Sequence, residues 1–555
     1  MRSSVIFRYI SKAYQFSKTH QFWIIMTIIV LWTCFVTSYS EGFGYWRTYI
    51  WGVQHQKVSD PGAAYLGSGM TFLFQRATSW VGHPGLPLMI IIQIVSYILY
   101  GTYIVFEHVV PYEAFFAKNF LYLVICTKMI MSVLHILSFF TIYLLAQKIT
   151  NNKNISYLSV IAYATTHFTL YYLNNISPEP LLIIFTNLAI YFIYEFYENN
   201  PNSKSKYLLL SSLFIVLAFY TKFMIIAPIL VLFPIYLLLC RRKFIGENNF
   251  INFKTRRESC LNYLKFTGLF ILLGLSKIRF DFLDFWLRYA PGHPAFNSEK
   301  TSISNLGNAT KMIAMSWPKR LTSRLTSDFL LPSFSSPIGL FNTAECLFIA
   351  LSIVGVIIFI VRNKNKRDYV SILLLVLILI TPSFLHRGAW HYLCIHLAFA
   401  SIFFSYLIYY LISRIKKTTN KKFNFTVALV VILIVHSMSF VYFIDARRYN
   451  SEKYKKYFSA YYQALKMINY DEKIAVIQKK ESSENMQLVD IYGRVHYYID
   501  KPKQLHPLKG FFIKLDDKIL DIGQEKKLRK IIEEENIKVI IQNDQYGSKI
   551  IKKYD

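Results

Sequence analysis

Carboxylate and histidine side chains gather in the long polar segment that follows the first apolar run of the chain. Glu41 lies at the start of this segment, where the first predicted membrane helix meets water, and His55, Asp60 and His83 follow it. A carboxylate at such a boundary can act as a general base that deprotonates or orients an acceptor hydroxyl. The alternative is that Glu41 only hydrates the helix end, as polar residues beside membrane spans do. We predict Glu41 as the first catalytic candidate.

Asp60 is the second catalytic candidate in this segment. It lies in a Ser-Asp-Pro-Gly sequence, which is also typical of a tight turn without a catalytic role. His55 is a candidate for substrate binding. His83 precedes Pro84 and Gly85, and this pattern predicts a turn before the next helix.

Two basic residues, Lys222 and Arg387, lie at predicted outer ends of apolar segments, where basic residues are uncommon. Lys222 is either a membrane-surface anchor or a phosphate ligand. Arg387 belongs to the segment 386–392, which is either an aromatic belt with an interfacial arginine or a clamp that donates two hydrogen bonds to a phosphate. His391 and Tyr392 of the same segment are candidates for substrate binding.

Glu179 stands between two prolines in a short turn that separates two apolar runs. The prolines explain the turn, but they do not require a glutamate beside them. We therefore predict Glu179 as a further substrate-binding residue.

The composition is that of a membrane protein. The chain has 555 residues, of which 54% are hydrophobic, and its mean hydropathy is +0.32. The formal net charge of +30 is explained by basic loops that orient spans, or by attraction to anionic lipid headgroups or a lipid-phosphate substrate. The basic residues are scattered between apolar runs without a nucleic-acid-binding motif, which argues against a nucleic-acid partner.

Motifs of other enzyme and transporter classes are absent from the sequence. It contains no Walker A motif, no dinucleotide fingerprint, no HExxH and no GxSxG. Its six cysteines show no CxxC or Cys/His metal spacing. We therefore predict neither a cofactor nor a metal.

Apolar windows long enough to cross a bilayer recur up to residue 444. Predicted spans lie near 21–39, 119–147, 155–173, 181–195, 207–220, 224–240, 261–277, 341–361, 369–384, 391–412 and 424–444. The segment 86–106 is also long enough. It either pairs with 64–80 as a second crossing, or both segments are interfacial or re-entrant helices. With that choice the short basic loops fall inside and the long polar loops fall outside. This predicts a multi-pass protein of the inner (plasma) membrane with a cytoplasmic N-terminus.

The chain divides at residue 445. Residues 1–444 are predicted to form an all-α polytopic membrane domain of about 11–13 transmembrane helices, with outer loops at 40–118 and 278–340. Residues 445–555 differ, because strand patterns at 473–477 and 537–541 flank an amphipathic helix at 525–535. They predict a small C-terminal α/β extracytoplasmic domain.

Short motifs resemble those of GT-C type membrane glycosyltransferases, the group related to protein O-mannosyltransferases and the aminoarabinose transferase of lipid A (glycosyltransferase family 39/83-like). Tyr39-Ser40-Glu41-Gly42 resembles the family's Asp-Glu-Gly after the first span, with Ser40 in place of the aspartate. Asp60 stands where a later acidic residue of that loop occurs. Glu179-Pro180-Leu181-Leu182 resembles Asp-Pro-Leu-Leu, Thr221-Lys222 resembles the family's Thr-Lys, and the segment 387–392 resembles its aromatic-basic junction.

The resemblance implies transfer of a sugar from a polyprenyl-phosphate donor to an envelope glycan, lipid or protein acceptor at the outer face. A carboxylate would activate the acceptor hydroxyl for in-line, inverting attack, while Lys222 and Arg387 would stabilise the departing lipid phosphate without a metal. If the missing aspartate is the base, its role here would pass to Glu41 or Asp60.

Two alternatives remain. Ser40 also fits a non-catalytic protein with the same architecture, which would act as a flippase for lipid-linked glycans or as an envelope-assembly scaffold. An oligosaccharyltransferase ranks lower, because the C-terminal region lacks a Trp-Trp-Asp type of signature.

Overall fold

The computed structural model describes a helical bundle and a C-terminal sheet. The described residues are 85–106, 110–166, 176–198, 204–222, 253–274, 337–362, 394–415, 425–436, 472–478, 512–515, 524–544 and 547–554. Isolated residues at 169 and 519, and some of those within 27–31, 65–70, 229–238 and 463–468, are also described.

Nine helices of the described part form the bundle. They are α1 (Leu86–Phe106), α2 (Tyr112–Thr150), α3 (Lys153–Ala164), α4 (Glu179–Glu198), α5 (Lys204–Thr221), α6 (Phe253–Gly274), α7 (Pro337–Arg362), α8 (Cys394–Ile415) and α9 (Phe425–His436). Within the described residues, four stretches are long and apolar enough to cross a membrane: Leu86–Phe106, Cys126–Thr150, Glu179–Phe196 and Cys394–Arg414. The expected mostly helical membrane fold is confirmed.

Turn residues set the helix limits. Gly85 adopts a left-handed conformation (φ 56°) against the ring of Tyr65, so α1 begins at Leu86 directly after the predicted turn. Asn151, also left-handed (φ 51°), ends α2, and the side chain of Asn152 caps α3 by accepting from two backbone N–H groups. Helix α3 ends at Ala164, and a turn at Thr165 and Thr166 interrupts the predicted span 155–173, most of whose remaining residues lie outside the described part.

The bundle is built around α4, which packs against α2 and α5, while α8 packs against α3 and α7 and also reaches α4. Hydroxyl groups join neighbouring helices: Ser211 of α5 donates to the Ala189 carbonyl, and Ser212 donates to the Tyr263 carbonyl of α6. Such small polar contacts are typical of helices packed within membranes.

The two ends of the bundle carry different side chains. The upper end, as we call it, holds Glu179 at the start of α4 and Lys222 directly after α5. The lower end holds the contact between Lys148 of α2 and Glu195 of α4. At the same lower end, Asn154 near the start of α3 donates to the Tyr409 hydroxyl near the end of α8.

The C-terminal region forms a four-stranded sheet with strand order β2-β1-β3-β4. Its elements are β1 (Lys473–Gln478), β2 (Phe512–Leu515), α10 (Glu525–Glu534), β3 (Ile537–Asp544) and β4 (Gly547–Lys553). Strands β1, β2 and β3 are parallel, whereas β4 runs antiparallel to β3. The predicted helix and both predicted strands are confirmed, while β2 and β4 were not predicted.

Alternation along the strands buries both faces of this sheet. Ala475, Ile477 and Ile540 face Leu528 and Ile532 of α10. The opposite face carries four apolar residues that belong to one continuous apolar cluster with the helical bundle: Ile474, Val476, Val539 and Ile541. The sheet therefore packs against other parts of the protein on both faces.

Candidate functional site

A fully buried ion pair marks the upper end of the bundle. Lys222 Nζ lies 2.5 Å from Glu179 Oε1, and both side chains are 0% exposed. The sequence predicts binding roles for both residues but does not show that they contact each other. The structure thus brings together two of the predicted site residues.

Local structure explains how the two charges meet. Glu179 is the first residue of α4, where a negative charge interacts favourably with the helix dipole. Lys222 follows the last residue of α5, and its backbone N–H donates to the Ala218 carbonyl, so its positive charge lies at the favourable C-terminal end. Because α4 and α5 pack side by side, these ends lie close together.

Burial of this ion pair has a large desolvation free energy. Each ion loses its hydration, and the attraction between them recovers that loss only if the remaining polar atoms are also satisfied. Glu179 Oε2 is buried and has no hydrogen-bond partner among the described residues, and the same holds for the nearby Ser177 Oγ. Glu179 Oε2 can therefore accept a hydrogen bond from a bound polar group, and Ser177 Oγ can accept or donate one.

Two residues that the sequence does not single out lie within electrostatic range of the pair. The charge of Glu179 acts on the Tyr163 hydroxyl at the end of α3 and on the Cys394 thiol at the start of α8, and the charge of Lys222 also acts on Cys394. Both side chains are buried. Four helices thus end around one polar centre, but a tyrosine and a cysteine inside apolar runs gave no signal of this in the sequence.

Helix α2 contributes further buried polar groups. Lys128 and His135 are buried within the stretch that can cross the membrane, and Asn187 of α4 donates to Thr141 of α2 at 3.1 Å. Ionisable residues within membrane spans usually face the protein interior and serve function. The lysine and histidine were also missed, because each lies alone in a strongly apolar sequence.

The other predicted site residues lie outside the described residues. These are Glu41, His55, Asp60, Arg387, His391 and Tyr392. Whether they converge on Glu179 and Lys222 stays a prediction. One link is given by the chain itself, because Tyr392 precedes Cys394 by two residues.

Metal-ligating side chains do not cluster in the described part of the chain. The described residues contain no group of three or more histidine, cysteine, aspartate or glutamate side chains that could hold a metal ion. Because Glu41 and Asp60 lie outside this part, the prediction of a metal-independent site stays open.

Comparison with known proteins gives one family and distant structural likenesses. Residues 123–250 match the family described as dolichyl-phosphate-mannose-protein mannosyltransferase. No curated protein matches the chain. The oligosaccharyltransferase AglB from Archaeoglobus fulgidus, in complex with an inhibitory peptide and a dolichol-phosphate, is 13% identical with a TM-score of 0.47, over 95% of this chain and 70% of that chain.

A second structure, the Archaeoglobus fulgidus oligosaccharyltransferase in the apo form, is 12% identical with a TM-score of 0.47, over 95% of this chain and 70% of that chain. Likenesses this distant carry no argument about activity. The matched segment 123–250, by contrast, contains Glu179, Lys222 and most of α2. The family match confirms the resemblance to GT-C type membrane glycosyltransferases for this part of the chain.

Proposed function

We propose that this protein is a membrane glycosyltransferase that moves a sugar from a polyprenyl-phosphate donor to an envelope glycan, lipid or protein acceptor at the outer face. The observation that carries the proposal is the buried Glu179–Lys222 pair, which lies within the segment that matches the mannosyltransferase family. A lipid-linked phosphate donor requires a cation near the membrane boundary, and Lys222 is placed at a helix end.

Orientation follows from the basic residues of the lower end. Lys148, Arg362 and Arg414 lie there, and the predicted basic loops adjoin these helix ends. Basic residues near span ends favour the cytoplasmic side. The upper end, with Glu179 and Lys222, would therefore face outward, and the C-terminal domain would be extracytoplasmic.

The proposed reaction is a single displacement at the anomeric carbon. Glu41 or Asp60 takes the proton of the acceptor hydroxyl, and the acceptor oxygen forms a bond to the anomeric carbon. The bond from that carbon to the phosphate oxygen breaks, and the polyprenyl phosphate leaves with the electron pair. Lys222 and Arg387 stabilise the negative charge of the leaving phosphate, and attack from the opposite side inverts the configuration.

Glu179 has a supporting role in this proposal. Its Oε1 holds Lys222 at the upper end, while its Oε2 has no partner among the described residues and can accept a hydrogen bond from a donor hydroxyl. Donor phosphate would compete with Glu179 for Lys222, so binding of the donor would loosen the ion pair. His55, His391 and Tyr392 are proposed to contact the substrates around this centre.

The test is transfer of radiolabelled sugar from a polyprenyl-phosphate sugar pool in membranes. We expect Glu41→Gln to abolish transfer while the protein is still inserted and folded. Glu258→Gln removes an exposed carboxylate from α6 near its lower end and is the matched control, with transfer unchanged. Full transfer by Glu41→Gln and Asp60→Asn, separately and combined, would contradict carboxylate catalysis in this loop.

The second candidate is a flippase or scaffold without transferase activity, and Ser40 at the family's aspartate position favours it. Ser40→Asp separates the two functions. If the protein is a transferase that relies on Glu41 or Asp60, sugar transfer should be detectable both in the wild type and in Ser40→Asp. Appearance of transfer only in Ser40→Asp would identify a protein that has lost its base.

A further inference from the structure

Two arginines at the lower end of the bundle contact the same aromatic ring. The guanidinium carbon of Arg362, in the last turn of α7, lies 4.3 Å from the ring centroid of Tyr410. That of Arg414, in the last turn of α8, lies 5.6 Å from the same centroid. The two groups can be no farther apart than the sum of these distances. Two positive charges from different helices therefore lie around the same ring.

Helix packing fixes the position of this ring. Gly355 of α7 approaches the backbone carbonyl of Phe403 on α8 so closely that a side chain would overlap with it. One turn further along, Phe359 contacts the edge of Tyr406 with ring centroids 5.1 Å apart. Tyr406 and Tyr410 then lie with parallel rings at 6.3 Å. The site is thus built on a close helix contact and not on flexible loops.

The charge of this pair is not neutralised by the surrounding described residues. Both arginines are exposed, and neither forms a salt bridge within the part of the chain that the structure describes. At the same end of the bundle, Lys148 is paired with Glu195. The segments 362–368 and 414–422 together contain nine lysines and arginines but only one acidic residue, Asp368.

We propose that Arg362 and Arg414 bind the phosphate group of an anionic phospholipid headgroup at this membrane surface. Guanidinium groups donate paired hydrogen bonds to phosphate oxygens, and the negative face of Tyr410 favours both cations beside the ring. The last turns of two long apolar helices lie where headgroups lie in a bilayer. The site is at the opposite end of the bundle from Glu179 and Lys222, so it goes beyond the proposed sugar transfer.

The experiment is native mass spectrometry of the full chain, released from nanodiscs that contain phosphatidylglycerol and phosphatidylcholine. The wild type should retain phosphatidylglycerol in preference to phosphatidylcholine. Arg362→Gln combined with Arg414→Gln should weaken this retention by about tenfold or more. Lys204→Gln combined with Lys206→Gln removes the same charge from the same end and should leave retention unchanged.

Several outcomes would overturn the proposal. Unchanged retention of phosphatidylglycerol in the arginine double variant would overturn it. An equal loss of retention in the lysine control would show that the basic surface attracts lipid as a whole, without a specific site. Loss of retention in the presence of millimolar inorganic phosphate, with phosphate bound in place of lipid, would identify free phosphate as the ligand. If the glutamine variant does not fold, Arg362→Lys combined with Arg414→Lys keeps the positive charges but removes the paired N–H donors of the guanidinium groups. Retention of phosphatidylglycerol equal to that of the wild type in this variant would reject paired hydrogen bonding to the phosphate.

Discussion

Helix α4 carries a glutamate–lysine pair near each end, and the two pairs differ in their contact with water. At the upper end, Glu179 and Lys222 are 0% exposed. At the lower end, Lys148 and Glu195 are 18% and 15% exposed, and Tyr191 contacts both of them. Each pair joins α4 to a neighbouring helix, so the helix connection alone does not explain the difference in burial.

The difference in exposure indicates which of the two pairs reduces the stability of the fold. A partly exposed pair at the bundle end keeps part of its hydration and can serve as a connector of modest strength. A fully buried pair loses that hydration, and apolar residues of the same shape would hold the helices together as well or better. The upper pair, with Glu179 Oε2 also unpartnered in the described part, is therefore better explained by a binding site than by stability.

The largest effect is expected when one member of the upper pair is removed. Lys222→Met leaves the Glu179 carboxylate buried without its cation, and we expect a loss of about 3–5 kcal/mol in the free energy of unfolding. Unfolding by denaturant in mixed micelles measures this loss. A change below about 1 kcal/mol, in the range of exposed pairs, would show that water reaches Glu179.

Removal of both charges separates stability from function. Glu179→Leu combined with Lys222→Met replaces the pair by apolar side chains, so the free energy of unfolding should return to within about 1 kcal/mol of the wild type or exceed it. Sugar transfer should nevertheless be lost, because the cation that stabilises the leaving phosphate is gone. Recovery of both stability and transfer in the double variant would show that the pair is structural only.

The sequence predicts the upper site only in part, for a physical reason. Glu179 and Lys222 stand out because each is charged at the end of an apolar run, but the pattern does not show which helix ends meet. Their contact depends on α4 and α5 packing side by side. Tyr163 and Cys394 lie inside apolar runs and give no periodic or charge signal, so only packing reveals them.

In the C-terminal domain, the sequence likewise predicts only some of the secondary-structure elements. β1, α10 and β3 have clear apolar alternation or amphipathic patterns, and the structure confirms all three. β2 has four residues, and β4 contains three lysines among its seven, so neither shows the apolar run of a buried strand. Both strands form because they pair with an existing edge of the sheet.

A smaller effect is expected at the lower pair. Glu195→Gln removes one charge from a pair that water already reaches, and we expect a loss of about 0.5–1 kcal/mol in the free energy of unfolding. This loss should shrink as salt is raised from 0.01 M to 1 M, because screening weakens partly exposed pairs. Unfolding at both salt concentrations measures it, with Lys222→Met as the comparison that should hardly respond to salt. Equal salt dependence of the two variants would remove the distinction between the two ends of α4.

The smallest effect is expected at a more exposed pair, Lys473–Glu535 in the C-terminal domain. Their side chains are 31% and 46% exposed, so the pair contributes at most about 0.5 kcal/mol. Glu535 also caps the C-terminal end of α10, where a negative charge is unfavourable. Glu535→Gln therefore breaks the ion pair but removes the unfavourable negative charge from the helix end. Lys473→Gln breaks the same ion pair and leaves that negative charge in place. Thermal unfolding of the full chain should show Lys473→Gln as slightly the less stable variant, and the reverse order would mean that the helix end does not influence Glu535.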